Sequence, residues 1–151
     1  MTFPFSEENN TSRHRLETLM PLLSDDDLVR FTPSGWTVAG LLAHLAFWDQ
    51  RMIALLERWQ ADGVDYSPVD SYAVNEALKP LCLALEPRRA VELCLAAAEA
   101  VDAELEAISP QLMEQIEASR THFRFNRALH RNDHLDEIES LVQLDLTPDG
   151  E

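Results

Sequence analysis

Positive charge is scarce in this sequence. Twelve Lys and Arg residues stand against twenty-seven Asp and Glu, which gives a net charge of −15 at pH 7. Binding of nucleic acid requires basic side chains that displace counterions from the phosphates, so this balance argues strongly against a nucleic-acid partner. It disfavours anionic membrane surfaces for the same reason. Residues 133–151 carry seven carboxylates and no Lys or Arg, and we interpret them as a solvated acidic end.

Long apolar runs are also missing. No run reaches the roughly 20 residues that a membrane-spanning helix needs. The first ten residues, MTFPFSEENN, lack the basic and then apolar pattern of a signal peptide. These absences predict a cytoplasmic protein without a membrane partner. Cysteine is limited to Cys82 and Cys94, which form no CxxC pair and stand in apolar helical sequence, so buried structural thiols are expected.

Glycine is rare, with four residues, and no stretch shows the alternation typical of a strand. Apolar residues instead recur at spacings of three and four, which predicts helices. The predicted segments cover about residues 7–23, 37–61, 70–85 and 87–108, and a last one from 111 or 118 to 143. Residues 1–151 are therefore expected to form a single all-α domain, an antiparallel four-helix bundle with one or two short extra helices.

Two histidines lie four residues apart in ALHRNDHLDEIESL, residues 128–141. On a helix, this spacing lets His130 and His134 aim at a common point, as in the zinc helices with the pattern HExxH. Arg131 stands where that pattern has its Glu, so a protease of that type is disfavoured. An exposed histidine pair without metal remains an alternative, because a catalytic zinc site generally has three protein ligands.

His44 lies in the most apolar stretch of the chain, GLLAHLAFWD, and is predicted to face the interior. A buried imidazole without a partner costs about 1–3 kcal/mol. It is therefore either a core histidine bonded to a carbonyl or carboxylate, or a third metal ligand that meets His130 and His134 inside the bundle. His14 and His122 are weaker candidates and are not assigned to the site.

Two separated motifs resemble those of the DinB/YfiT-like superfamily of metal-binding four-helix bundles. The first is LSDDDLVRFTPSGWTVAGLLAHLAFWDQRM, in which a turn at residues 23–28 precedes GWTV, His44 and Trp48. The second is HRNDHLDEI, residues 130–138, which is similar to the family's H-x-x-x-H-L-x-E-I. The stretch VDSYAVNEAL, with Asn75, is similar to a third region, and together the matches cover most of the chain in order.

The resemblance implies a divalent metal, zinc or nickel, held by His44, His130 and His134. Relatives of this kind include bacterial thiol-dependent maleylpyruvate isomerases and S-transferases that use mycothiol or bacillithiol. The expected function is thus a metal-dependent thiol S-transferase or hydrolase that activates a low-molecular-weight thiol or water. The alternative is a non-catalytic metal-binding or stress-response bundle, so enzymatic activity stays open. A small-molecule substrate or thiol and a homodimer are the partners that the resemblance suggests.

Helical phase adds four further candidates. Glu137 shares the stripe of His130 and His134 and is either a general base, a partner of a ligating histidine or, as we favour, a solvated carboxylate. Arg51 is placed either to meet an anionic substrate or to form a surface salt bridge. Trp48 is expected to line a pocket or to belong to the core. Asn126, four residues before His130, is a further candidate for the pocket lining.

Overall fold

The computed structural model of the protein describes residues 2–143. The end of the predicted acidic segment, residues 144–151, lies outside the described residues. The described elements are α1 (Ser6–Leu19), a 3-10 turn (Met20–Leu22), α2 (Asp25–Leu28), α3 (Val38–Asp62), α4 (Ser71–Ala84), α5 (Pro87–Glu106), α6 (Pro110–Ala118) and α7 (Ala128–Gln143). Within residues 2–143, none of the helices combines the length and the apolar character needed to cross a lipid bilayer.

The helices begin at residues that satisfy free backbone amides. The Thr37 hydroxyl accepts a hydrogen bond from the Gly40 amide at 2.9 Å and caps α3. Ser24 and Asp27 bond each other's backbone amides in a capping box at the start of α2. Pro87 occupies the first position of α5, where its missing amide hydrogen costs nothing. The local sequence therefore determines where these helices begin.

Four helices form a closed bundle around two apolar clusters. α3 packs most extensively against α5, while α1 contacts α5 and α7, and α7 contacts α3. One cluster contains residues from the first halves of α3 and α5 and from the last turns of α1. The other cluster contains residues from the second halves of α3 and α5 together with Phe5, which precedes α1. α3 and α5 therefore run in one direction, and α1 and α7 run in the other. The all-α four-helix bundle predicted from the sequence is confirmed.

α4 lies on the outside of the bundle, along α3. A Cβ atom on Gly40 would stand 3.0 Å from the Leu83 side chain, so the glycine permits the close approach of α4 to the start of α3. Further along, Trp48 Nε1 donates a hydrogen bond to Asn75 Oδ1 at 2.9 Å. α4 thus covers the part of α3 that carries His44.

The last predicted segment is interrupted in the structure. α6 ends at Ala118 and α7 begins at Ala128, where the sequence pattern predicts one helix. Arg120 and His122 have φ angles of 56° and 55°, in a left-handed region that few residues other than glycine adopt, and a helix cannot continue through them. Residues 121–127 form a loop without regular secondary structure instead. The apolar pattern hid this break because Phe123 and Phe125 pack onto the second cluster as helical residues would.

Both cysteines are buried and free. Burial raises the pKa of Cys82 to about 11 and, together with Asp49, raises that of Cys94 to about 12. Both thiols are therefore protonated at neutral pH, which makes them poor nucleophiles.

Candidate metal centre

Three histidines from two helices meet in the bundle interior. His44, which is 6% exposed, lies in the first half of α3, and His130 and His134 occupy successive turns of α7. The Nε2 atoms of His44 and His130 are 3.0 Å apart, and one ring nitrogen of each of the three lies within 4.8 Å of the other two. We refer to these three residues as the histidine cluster.

The nitrogen spacing suits a metal ion. Zinc binds imidazole nitrogens at about 2.0–2.1 Å, so two ligands of a tetrahedral ion lie about 3.3 Å apart. Nδ1 of His44 and Nδ1 of His134 are buried without a hydrogen-bond partner, although the great majority of buried polar atoms in proteins have one. The unpartnered Nδ1 of His44 is not the nitrogen that meets His130, which is Nε2, so the convergence of one nitrogen from each of three imidazoles is the feature that fits a divalent metal.

The charge state of the cluster also suits a metal. Burial lowers the pKa of His44 to about 4, and the neighbouring His134 acts in the same direction. Burial likewise lowers the pKa of His130 to about 3, with smaller contributions from His44 and His134. Both imidazoles are thus neutral at pH 7, and the neutral ring is the form that binds metals.

Aromatic rings enclose His44. The Trp36 ring stands edge-on to the His44 ring, with 5.2 Å between centroids, and the Trp48 ring lies at 6.5 Å. Lys79 in turn lies 5.8 Å from the centroid of the Trp36 ring. The GWTV motif therefore serves two purposes, because Thr37 caps α3 while Trp36 shields the histidine that α3 carries.

Glu137 connects α7 to the loop before α3. Its Oε1 accepts a hydrogen bond from the Ser34 amide at 3.2 Å, and its Oε2 lies 3.5 Å from His134 Nδ1. The second contact does not meet the geometry of a hydrogen bond. Burial acts to raise the pKa of Glu137, but hydrogen bonds from Ser34, together with smaller contributions from other neighbours, outweigh it and the pKa is lowered. The carboxylate is thus engaged with its neighbours rather than freely solvated.

A cavity of about 440 Å³ adjoins the histidine cluster. His44 and His130 line it, and so do the three pocket candidates Trp48, Arg51 and Asn126. Glu137 is not among the lining residues. Residues of the loops 66–69 and 121–127 line the same cavity. A molecule in the cavity can therefore reach the cluster from the side that these loops border.

Arg51 and Asn126 differ in how they are held. The Arg51 guanidinium donates to the Ser67 carbonyl at 3.2 Å and lies 5.9 Å from the centroid of the Trp48 ring. No described carboxylate pairs with it, so the surface salt bridge considered for Arg51 is not observed among residues 2–143. Asn126 donates to the Glu8 carboxylate and accepts from the Ala128 amide at 2.9 Å, which makes it a cap for α7.

A buried ion network beside the histidine cluster escaped the sequence analysis. It comprises Asp49 on α3, Asp102 on α5, and Arg127 and Arg131 on either side of His130. Arg131 is 1% exposed and donates to both oxygens of Asp102, at 3.0 and 2.8 Å. Arg127 Nε donates to Asp49 Oδ1 at 2.9 Å. The network therefore fastens the start of α7 to α3 and α5.

A signal for this network is present in the sequence. Asp49 follows Leu45 by four residues, and Asp102 follows Ala98 by four, so both acids stand on apolar helix faces. Charged residues are almost never fully buried unless they are paired. Two acids at core positions predict two basic partners. Arg131 stands out in the sequence only as the residue in place of the protease glutamate, and that role does not indicate a buried ion pair.

The family model of the mycothiol maleylpyruvate isomerase N-terminal domain matches residues 10–128 of the chain. The matched range contains the GWTV motif and His44 and ends before His130, so the convergence of all three histidines is an observation of the structure. No curated protein and no solved structure matches the chain significantly.

Proposed function

The chain belongs to the family of the mycothiol maleylpyruvate isomerase N-terminal domain, within the DinB/YfiT-like superfamily that its motifs resemble, and on that premise we propose that it is a metal-dependent enzyme. Its histidine cluster binds a divalent ion, zinc or nickel, and its substrate is a small molecule together with a low-molecular-weight thiol or water. The observation that carries this proposal is the convergence of three ring nitrogens within 4.8 Å beside a cavity that two of the rings line.

The residues of the cluster supply three imidazole nitrogens, and an ion that they held would keep at least one coordination position for a substrate. A divalent ion held there acts as a Lewis acid and lowers the pKa of a thiol or water bound to it. Imidazole suits both zinc and nickel. Because His44 and His130 line the cavity, a small molecule in it would lie beside the residues that would hold the ion.

Glu137 is assigned the role of orienting His134. Its Oε2 lies 3.5 Å from His134 Nδ1, and a carboxylate beside a ligating imidazole fixes the ring and raises its basicity. A general-base role would require contact with the substrate, and Glu137 does not line the cavity. We therefore place it behind the cluster rather than in the reaction.

The protein offers no activated thiol of its own. Cys82 and Cys94 are buried, with pKa values raised to about 11 and about 12, and neither lines the cavity. The thiol in the proposed reaction is therefore a cosubstrate, which agrees with the thiol-dependent enzyme named in the family description.

Metal analysis tests the binding half of the proposal. The protein is purified without an affinity tag that binds metal, and bound zinc and nickel are measured by mass spectrometry for the wild type, His44→Ala and His134→Ala. We expect a single ion per wild-type chain and a large loss in both variants. His14→Ala is the matched control, because the His14 side chain is 81% exposed, and it should retain the metal. Wild-type protein that binds neither metal refutes the proposal.

A thiol assay tests the catalytic half. Metal-loaded protein is mixed with mycothiol or bacillithiol and an electrophilic small molecule, and the loss of free thiol is followed over time. We expect thiol consumption that requires the metal and disappears in His44→Ala. Bound metal without thiol consumption or hydrolysis would identify a non-catalytic metal-binding protein instead.

A further inference from the structure

The charge of the cavity is opposite to that of the chain. Three arginines line it, Arg51, Arg124 and Arg127, and no Asp or Glu does, although the sequence has a net charge of −15. Asp49 neutralises Arg127. Neither Arg51 nor Arg124 has a carboxylate partner among residues 2–143. The cavity is therefore an electropositive space in an acidic protein, which favours the entry of anions.

Two residues of the cavity wall carry a buried polar atom without a hydrogen-bond partner. Trp59 is 2% exposed and lines the cavity, and its Nε1 has no hydrogen-bond partner. The indole nitrogen can only donate. The hydroxyl of Thr121, which also lines the cavity, lacks a partner as well. Both atoms are covered from solvent in this conformation, so the donors that a ligand can meet are those of Arg51 and Arg124, and an acidic ligand supplies the opposite charge that water lacks.

The remaining walls of the cavity are apolar. Met52, Leu55, Phe123 and the ring of Trp48 line it, and its volume of about 440 Å³ lies in the range of small-molecule sites. Arg51 follows His44 by seven residues, so the two stand on one face of α3, about 10 Å apart along the helix axis. The cavity thus has a histidine end and an arginine end with an apolar surface between them.

We propose that this cavity binds an organic carboxylate with an apolar body, whose acidic group pairs with Arg51 while the body lies against the apolar walls and its far end reaches the histidine cluster. Arg124 is a further donor that lines the same cavity. The reaction of the far end rests on the proposed metal-dependent function. Binding of the acidic group does not, because Arg51 and the other donors belong to the protein alone.

A fluorescence titration of metal-free protein tests the arginine end. Phenylbutyrate and phenylbutyramide are nearly equal in shape and differ in charge, and Trp48 and Trp59 report on the cavity that they line. Removing a hydrogen bond to a charged group weakens binding about ten-fold or more. We expect the acid to bind at least about ten-fold more tightly than the amide. Equal binding, or no binding of either probe at millimolar concentration, overturns the proposal.

Arg51→Gln and Arg58→Gln provide the matched comparison. Both variants remove a positive charge from α3, but Arg58 is exposed and does not line the cavity. We expect Arg51→Gln to remove most of the preference for the acid, and Arg58→Gln to retain it. Equal effects of Arg51→Gln and Arg58→Gln would show that only the general charge of the protein matters.

The titration also separates this proposal from the metal proposal. His44→Ala should lose the metal and still prefer the acid in the metal-free form, while Arg51→Gln should retain the metal. If the wild type binds metal but shows no preference for the acid, the arginine end is wrong and the metal centre stands. If it prefers the acid but binds no metal, the metal centre is wrong and the arginine end stands.

Discussion

The bundle interior contains two polar clusters that share α3 and α7, and they are satisfied to different degrees. In the ion network each charge faces an opposite charge, and the Arg131 guanidinium alone contacts both buried aspartates. In the histidine cluster like groups face each other, and two buried nitrogens have no partner. The charges of the ion network are therefore paired within the protein, although Arg131 Nε has no partner of its own, whereas the ring nitrogens of the histidine cluster face one another and can accept a metal ion.

This difference separates two tasks along α7. Breaking an ion pair in the interior leaves an uncompensated charge, so the network contributes to the stability of the fold. Removing a neutral imidazole leaves no charge behind, so the cluster contributes little until a ligand binds. His130 and Arg131 are neighbours in the sequence, but we expect substitution of Arg131 to lower the stability of the fold and substitution of His130 to change it little. Four predictions test this contrast.

The largest expected effect is on Arg131. Arg131→Met removes the closest partner of Asp102, leaves it only the partly exposed Arg13, and should lower the free energy of unfolding by about 3 kcal/mol, measured by urea denaturation of metal-free protein. Arg89→Met is the control, since Arg89 forms an exposed pair with Glu92 that is worth about 0–1 kcal/mol. If Arg131→Met does not fold, Asp102→Asn tests the same network. Similar losses at Arg131 and Arg89 would contradict this account of the network.

The next effect is metal-dependent stabilisation. Metal at about one hundred times its dissociation constant should raise the free energy of unfolding of the wild type by about 2.7 kcal/mol. His44→Ala should show no such increase, while its metal-free stability should stay close to that of the wild type. The same urea experiment with and without zinc or nickel measures both quantities. A metal-dependent increase that survives in His44→Ala would place the ion elsewhere.

A smaller effect is expected at Glu137. Glu137→Gln removes the charge beside His134 Nδ1 and should weaken metal binding about ten-fold, since partners of ligating histidines typically contribute that much. Asp133→Asn is the matched control, because Asp133 is exposed on the same helix, next to His134 in sequence. Titration with a competing chelator measures both affinities. Equal affinities of the two variants would show that Glu137 acts only through its bond to the Ser34 amide.

The smallest effect is a difference between two pH profiles of metal-free protein. Because the pKa values of His44 and His130 are lowered to about 4 and about 3, the unfolded chain binds more protons than the folded one below about pH 6.5. The stability that these neutral rings permit is present above that pH and is lost as the pH falls. His130→Gln should lose less stability between about pH 7 and pH 5 than the wild type. Parallel profiles would mean that carboxylates alone determine the acid response.

Much of the fold follows from local patterns in the sequence. Periodic apolar residues and caps such as Thr37 predict the helices, and the apolar surroundings of His44 predict that it faces inward. The break between α6 and α7 is not visible in this way, because it depends on two residues with positive φ and on aromatic side chains that remain buried outside a helix. Tertiary packing, rather than local helix propensity, determines the backbone conformation at this break.

The site was predictable to the extent that its residues lie in motifs. His44, His130 and His134 stand in two recognisable patterns, and the structure brings them together. The cavity has no such signature, since Arg51, Trp59 and Arg124 come from separate parts of the chain and only the folded bundle places them around one space. The lining lacks carboxylates because of how the folded bundle arranges these separate segments, and no single segment shows this in its sequence.

Calorimetric titration of metal-free protein with zinc and with nickel tests the central claim most directly. We predict that the wild type and His14→Ala bind a single ion of at least one of these metals per chain, and that His44→Ala, folded and otherwise comparable in stability, binds none at that site. Absence of binding in the wild type, or an unchanged isotherm in His44→Ala, would contradict the assignment of the histidine cluster as a metal centre.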